Sequence, residues 1–372
     1  MTRPTFRFRK TPRLERLESR ELLSSGGPSP EAQYMLELIN LARTNPAAAA
    51  DRVTSNLDAQ TSATLTYYNV NLDQARQQIA SAAPRPPLAW NDKLATTALD
   101  QSIDQANMGV QTHTGADGSD LNTRLDRIGY TNRASAGENA FAYAKSVDQA
   151  MEAFLIDWGV PSMGHFKNLL QPDTPPSSAY REVGIGIVDS TKLGLGPEVI
   201  TQDFGSQNGA KADLLGVAYD ESKGSQFYVP GEGRGDVTVQ AQNLQTGQTS
   251  SVQTWDAGGY QIPLDPGQYQ VTAKVGSQVV RSQQVSIGTQ NVKVDFDLSQ
   301  PWTGPAVASS PTPPQPQTVT PPAPTPQPAR APQQSPLVFS QPYIAPQAST
   351  PSFDVNWITA WNSWNASTGQ PT

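Results

Sequence analysis

Helical periodicity through the first part of the chain, strand periodicity from about residue 183 to 298 and a proline-dominated stretch beyond predict the fold class. It is an α+β domain, then an all-β sandwich, then a disordered tail. The boundaries expected are 1–28 for a basic, disordered leader, 30–208 for the α+β domain and 212–299 for the sandwich. A proline-rich linker over 300–351 and a tryptophan-rich tail over 352–372 complete the chain.

Each element has a local justification. Ser29 can cap a helix whose first position is Pro30, where the missing N–H costs nothing. Tyr34, Leu38 and Leu41 then recur at helical spacing, and Pro46 closes that helix and opens a second running to Val53. The polar stretch 54–87 is ambiguous, with one helix expected at Leu72–Ala80. Asn91 caps a helix carrying Leu94, Ala98, Ile103 and Ala106. Ser119 or Asp120 starts the next, which Gly129 ends. Ser146 with Gln149 makes a capping box, and that helix places Ala150, Phe154 and Asp157 on one face. Two period-2 segments follow, Val183-Ile185-Ile187 with interleaved glycines and Glu198 to Phe204.

From Ala212 to Ser299 alternation dominates. Strands are expected at Leu214–Tyr219, Val237–Ala241, Ser251–Thr254, Tyr260–Pro263, Tyr269–Val275, Val279–Ile287 and Val292–Leu298. Turn signals separate them, notably Asp256-Ala257-Gly258-Gly259 and Asp265-Pro266-Gly267, and short strands at this density read as a sandwich. Residues 301–351 hold 16 of the 33 prolines and one charge, Arg330, so they cannot bury enough apolar surface to offset ordering. In the tail, Phe353, Trp357, Trp361 and Trp364 would share one helical face.

Composition narrows the function. Twenty-six basic against 33 acidic residues give a net charge of −7, which argues against nucleic acid as a partner. No apolar run is long enough for a transmembrane helix. The chain has no cysteine, which excludes disulfides, thiol catalysis and Cys-type zinc sites, and only two histidines, His113 and His165. Any histidine chemistry runs through those two. The basic first twenty residues lack the apolar core of a secretory signal, but Leu14-Glu15-Arg16-Leu17-Glu18-Ser19-Arg20-Glu21-Leu22-Leu23-Ser24 resembles the leader of many planctomycete surface and secreted proteins. That resemblance implies an extracellular or cell-surface location.

Around the histidines stand Glu138, in Gly137-Glu138-Asn139 and expected in a loop, and Asp157, at the end of the Ser146 helix. Neutral imidazoles bind zinc, and carboxylates orient them through the second ring nitrogen. The same four groups could instead form a proton-transfer network, and spacing alone does not bring them together.

The order of short runs adds what spacing lacks. They are Leu38-Ile39-Asn40-Leu41-Ala42-Arg43, Leu88-Ala89-Trp90-Asn91, His113-Thr114-Gly115, Gly137-Glu138-Asn139, Gly164-His165, Glu182-Val183-Gly184-Ile185-Gly186 and Thr201-Gln202-Asp203-Phe204-Gly205. In this order over 34–205 they resemble a bacterial CAP (SCP) domain of the cysteine-rich secretory protein, antigen 5 and pathogenesis-related 1 family. The resemblance implies an α-β-α sandwich and a His/acid tetrad groove, here His113, Glu138, Asp157 and His165. Its second acid usually follows a Trp as Trp-x-x-Glu; this chain has Phe154-Leu155-Ile156-Asp157.

What the resemblance implies for function is a secreted or surface protein holding zinc or another divalent metal at His113 and His165. An extracellular small molecule, lipid or peptide would be its ligand, and cell-envelope components further partners. Two alternatives stand beside it: a metal- or His/Glu-assisted hydrolase of peptide or ester bonds, and an envelope adhesion protein whose CAP domain is an inert scaffold. The second domain resembles carboxypeptidase-regulatory-like or SdrD-B-like modules. Calcium would find Asp220 and Glu232 there, with Ser222, Lys223 and Gln226 where more acids would be expected.

Overall fold

A computed structural model describes residues 26–190 and 194–302. The leader before residue 26, the linker beyond 302 and the tail with its Phe353/Trp357/Trp361/Trp364 face lie outside the described residues.

Eight α-helices are described, and most begin where a side chain caps them. Helix α1 (Pro30–Thr44) is capped by Ser29, α2 (Pro46–Thr54) by Asn45 and α5 (Asp92–Met108) by Asn91. The ambiguous stretch holds two helices, α3 (Ala59–Tyr67) and α4 (Leu72–Ala80), capped by Asp58 and Asn71. Asp120 caps α6 (Leu121–Arg127), and α7 (Val147–Ile156) starts at Ser146, whose Oγ accepts from the Gln149 N–H at 3.2 Å. The reciprocal arm of that box is displaced by one residue: Gln149 Oε1 accepts from the Lys145 N–H at 2.8 Å. Helix α8 (Gly164–Leu170) follows the site described below.

The α+β domain is built on one sheet of order β1-β3-β4-β2, where β1 is Ala89–Trp90, β2 Arg133–Ala144, β3 Glu182–Asp189 and β4 Glu198–Gln207. Strand β1 runs parallel to β3, and the other pairs are antiparallel. Glu138 therefore lies in edge strand β2, not in a loop. Its neighbours are Ala, Gly and Asn, residues without strong strand propensity, and pairing with β4 overrides that local indifference.

Successive residues of a strand face opposite sides, so this sheet sorts its neighbours into two layers. On one face, Gly184 and Gly186 let α5 approach: a Cβ at Gly184 would lie 1.9 Å from the Ala95 backbone nitrogen, and one at Gly186 2.3 Å from that of Leu99. On the other, Gln202 reaches the sulfur atoms of Met35 on α1 (3.1 Å) and Met151 on α7 (3.7 Å). The result is a three-layer α-β-α arrangement. Because backbone rather than a flexible side chain blocks the space, Gly184→Ala should destabilise the domain by about 3 kcal/mol or more, the upper end of overpacking costs. A thermal midpoint within a degree or two of the parent protein would contradict this packing.

The second domain pairs two sheets. One has the order β10-β9-β6-β7, from β6 (Val237–Asn243), β7 (Thr249–Gln253), β9 (Gly267–Val275) and β10 (Gln278–Ile287). In the other, β5 (Ala212–Tyr219) pairs antiparallel with β8 (Gly259–Leu264) and parallel with β11 (Val292–Lys293) and then β12 (Phe296–Asp297), which follow one another along it at the same register. The single strand expected at Val292–Leu298 is split: the Val294 carbonyl turns in beside Gly216, and Asp295 Oδ1 accepts from the Val217 N–H at 3.1 Å. Val237, Val239, Ala241, Ile262, Val271 and Phe296 fill the space between the sheets.

Polar side chains from the sandwich close the free edge of β1. Gln261 bonds both the N–H and the carbonyl of Trp90, at 3.0 and 3.1 Å, as a neighbouring strand would. Asn291 donates to the carbonyls of Pro87 (3.1 Å) and Arg181 (2.9 Å). Beneath them Lys293 bonds Glu37 of α1 at 2.6 Å and also pairs with Asp295.

Candidate functional site

Edge strand β2 organises the site. Glu138 projects from the α5/α6 face and Asn139 from the face of α1 and α7, because they are consecutive in a strand. His113 sits in the segment between α5 and α6, and its Nδ1 lies 2.7 Å from Glu138 Oε1. The Glu138 side chain is 3% exposed and that of His113 42%, so the imidazole rises from a buried carboxylate toward solvent. The second carboxylate oxygen of Glu138 is held by Arg124 of α6. That guanidinium also donates to the carbonyls of His113 and Ser119, each at 3.1 Å, tying the His113 segment to the helix.

His165 forms the second pair, with its Nδ1 2.7 Å from Asp157 Oδ1. Sequence periodicity places Asp157 on the Phe154 face of α7, but the residue is the helix's C-cap in the left-handed region, φ 57°. Asp157 Oδ2 accepts from the Phe166 N–H at 3.0 Å, so the same carboxylate satisfies a free donor in the first turn of α8. Met163, the cap residue of α8, offers no side-chain bond of its own. Phe154 packs against the His165 ring with centroids 5.3 Å apart.

Three amides join the pairs to β2. Asn139 Nδ2 donates to the His165 carbonyl at 3.4 Å and to Gln202 Oε1 at 3.1 Å. Asn168 of α8 donates to the Glu138 carbonyl (3.1 Å) and to Asn139 Oδ1 (2.9 Å). All four residues singled out in the sequence thus stand at one stretch of the edge strand, each histidine on its own acid. Two further members were not singled out for a role: Arg124, and Asp203 of β4, the register partner of Glu138. For Arg124 the available signal was a charge beside Leu121 and Leu125 on the apolar period of α6.

Beside an ionised carboxylate, imidazole Nδ1 carries the proton and donates it, so Nε2 is the nitrogen through which each ring would take a metal. Among the described residues no three or more His, Asp and Glu converge in a metal-holding group. Two neutral imidazoles are, as chemistry, a donor pair that zinc accepts, its other positions going to water or ligand oxygen.

The lesser candidates are occupied by protein partners. Glu232 accepts from Ser222 N and Oγ, both at 2.9 Å, and from Val229 N at 3.1 Å, while Asp220 pairs with Arg234 at 2.8 Å. The carboxylates considered for calcium therefore already serve the chain's own donors. No helix among the described residues is long and apolar enough to cross a membrane.

Residues 36–204 match the family model described as the cysteine-rich secretory protein family, CAP. No curated protein matches the chain. Similar solved structures include an extracellular protein containing an SCP domain from Bacillus anthracis str. Ames, at 22% identity and TM-score 0.27, covering 41% of this chain and 45% of that one. An outer surface protein from Borrelia burgdorferi is similar at 16% identity and TM-score 0.27, covering 41% of this chain and 97% of that one. The chain thus spans less than half the length of the Bacillus protein.

Proposed function

Residues 36–204 form a CAP domain, and from that premise we propose that its paired histidines bind a divalent metal ion, zinc in the first instance, in a secreted or surface-held protein. The observation that carries the reading is the repetition of one arrangement: Nδ1 of each of the chain's only histidines lies 2.7 Å from a buried carboxylate. A carboxylate in that position fixes the tautomer, orients the ring and raises the basicity of the remaining nitrogen, which is how metal-ligating imidazoles are supported. The exposure of His113 gives an extracellular ligand access to the metal.

Because imidazole must be neutral to ligate, protons and metal compete for the same nitrogens. Zinc titration of the whole chain should show an affinity at least about tenfold weaker at pH 5 than at pH 7.5. An affinity that does not change across this range would exclude histidine ligation.

A further inference from the structure

Among the described residues, Asp203 is a carboxylate beside the site with no base bonded to it. It is fully buried in β4 and stands opposite Glu138 in the β2–β4 register, on the same face of the sheet. Its register partner on the other side is Gly184, which brings no side chain. Neither Asp203 oxygen receives a hydrogen bond from an N–H or hydroxyl donor among the described residues. The groups that act on it are Glu138, its cross-strand neighbour on the same face, and Arg124, whose guanidinium already holds Glu138.

Two buried carboxyl groups can share a hydrogen bond only through a proton. One guanidinium facing two carboxylates would leave a negative charge uncompensated, which costs several kcal/mol even after relaxation. Glu138 has two donors, Arg124 and His113, and Asp203 has none, so the charge belongs on Glu138. Burial, then the neighbouring Glu138, pushes the Asp203 carboxyl well above the usual carboxylate range, in agreement with this assignment.

We propose that Asp203 is a neutral carboxylic acid that donates its hydrogen bond to Glu138, making it a positioning residue for His113. Glu138 then has three donors, one each from β4, α6 and the His113 segment. With its position fixed on two sides it can only present Oε1 to the imidazole. This extends the metal-binding reading above, and its metal arm rests on that reading; the protonation state of Asp203 does not.

The test uses the full-length chain. In infrared spectra at pH 7, the carbonyl band of a protonated carboxylic acid should be present in the parent protein and lost, in difference, in Asp203→Asn. An unchanged band would overturn the proposal whether or not metal binds. In zinc titrations, Asp203→Asn, whose amide N–H can replace the acid proton, should stay within about twofold of the parent. Asp203→Ala, which leaves Glu138 without its third donor, should bind roughly tenfold more weakly, at the low end of outer-shell effects. Equal losses in both variants would mean that Asp203 acts as an anion, and would equally overturn the assignment. Failure of zinc to bind the parent protein, with the infrared band present, would count against the metal reading alone.

Discussion

Replacing both His113 and His165 with Ala should abolish saturable zinc binding at micromolar concentrations. The chain has no cysteine and no third histidine, so the background from other soft ligands is low. Neither ring is a core element: their side chains are 42% and 17% exposed, against 3% and 0% for Glu138 and Asp157. Removing an orienting acid is the finer probe. Glu138→Gln and Asp157→Asn keep shape but weaken the hold on Nδ1, and such changes typically cost about 10–100-fold in metal affinity. The Asp157 variant also weakens the bond to the first turn of α8, so part of its effect should appear as lost stability in the absence of metal. Zinc binding that persists undiminished in the double histidine variant would place the metal elsewhere.

Lys293→Met should lower the stability of the apo protein by about 3–5 kcal/mol, the usual result of leaving one partner of a buried ion pair alone. Glu37 is 2% exposed and accepts from Lys293 and from Gln33, at 2.6 and 2.7 Å. Without the ammonium, Glu37 and Asp295 face each other beneath the sandwich with no cation between them. At roughly 2–4 °C per kcal/mol for a unit of this size, the midpoint should fall by about 6–20 °C. Lys211→Met provides the contrast, because its pair with Asp265 is solvent-exposed and worth about 0–1 kcal/mol. Equal midpoints in the two variants would contradict the buried-pair account.

The pH dependence of that loss has a definite sign. Burial pushes the Glu37 carboxyl up to about 7, against the attraction of Lys293. A raised carboxyl pKa contributes stability at low pH that is lost as pH rises through the folded value. At pH 5 Glu37 can hold a proton and tolerate the loss of Lys293; at pH 8 it must ionise without a partner or keep its proton at increasing cost. The deficit of Lys293→Met should therefore widen from pH 5 to pH 8. A double variant with Glu37→Gln should recover part of the stability, which measures the coupling directly.

The helix starts were legible because capping is local. Ser29, Asn91, Asp120 and Ser146 each satisfy a backbone donor two or three residues ahead, and four or five residues of sequence contain that information. Alternation showed seven strand segments of the sandwich for a similar reason. The ordered runs resemble a CAP domain, and the match over residues 36–204 agrees with that family reading. The split in Val292–Leu298 was hidden, because an alternating pattern carries no sign that the Val294 carbonyl will turn toward Gly216.

Composition alone limited the chain to chemistry without thiols and with two imidazoles, and local signals determined where its helices begin. Tertiary structure decided the rest of the site. Glu138 is a strand residue because Asp203, 65 positions later, pairs with it; Asp157 reaches His165 because a left-handed turn ends α7; and Arg124 becomes a buried counter-ion because α6 folds over the same strand. A cap or an alternating stripe depends on neighbours a few residues away. Charge compensation and strand pairing depend on which distant groups the packed chain brings together, and on how little water remains between them.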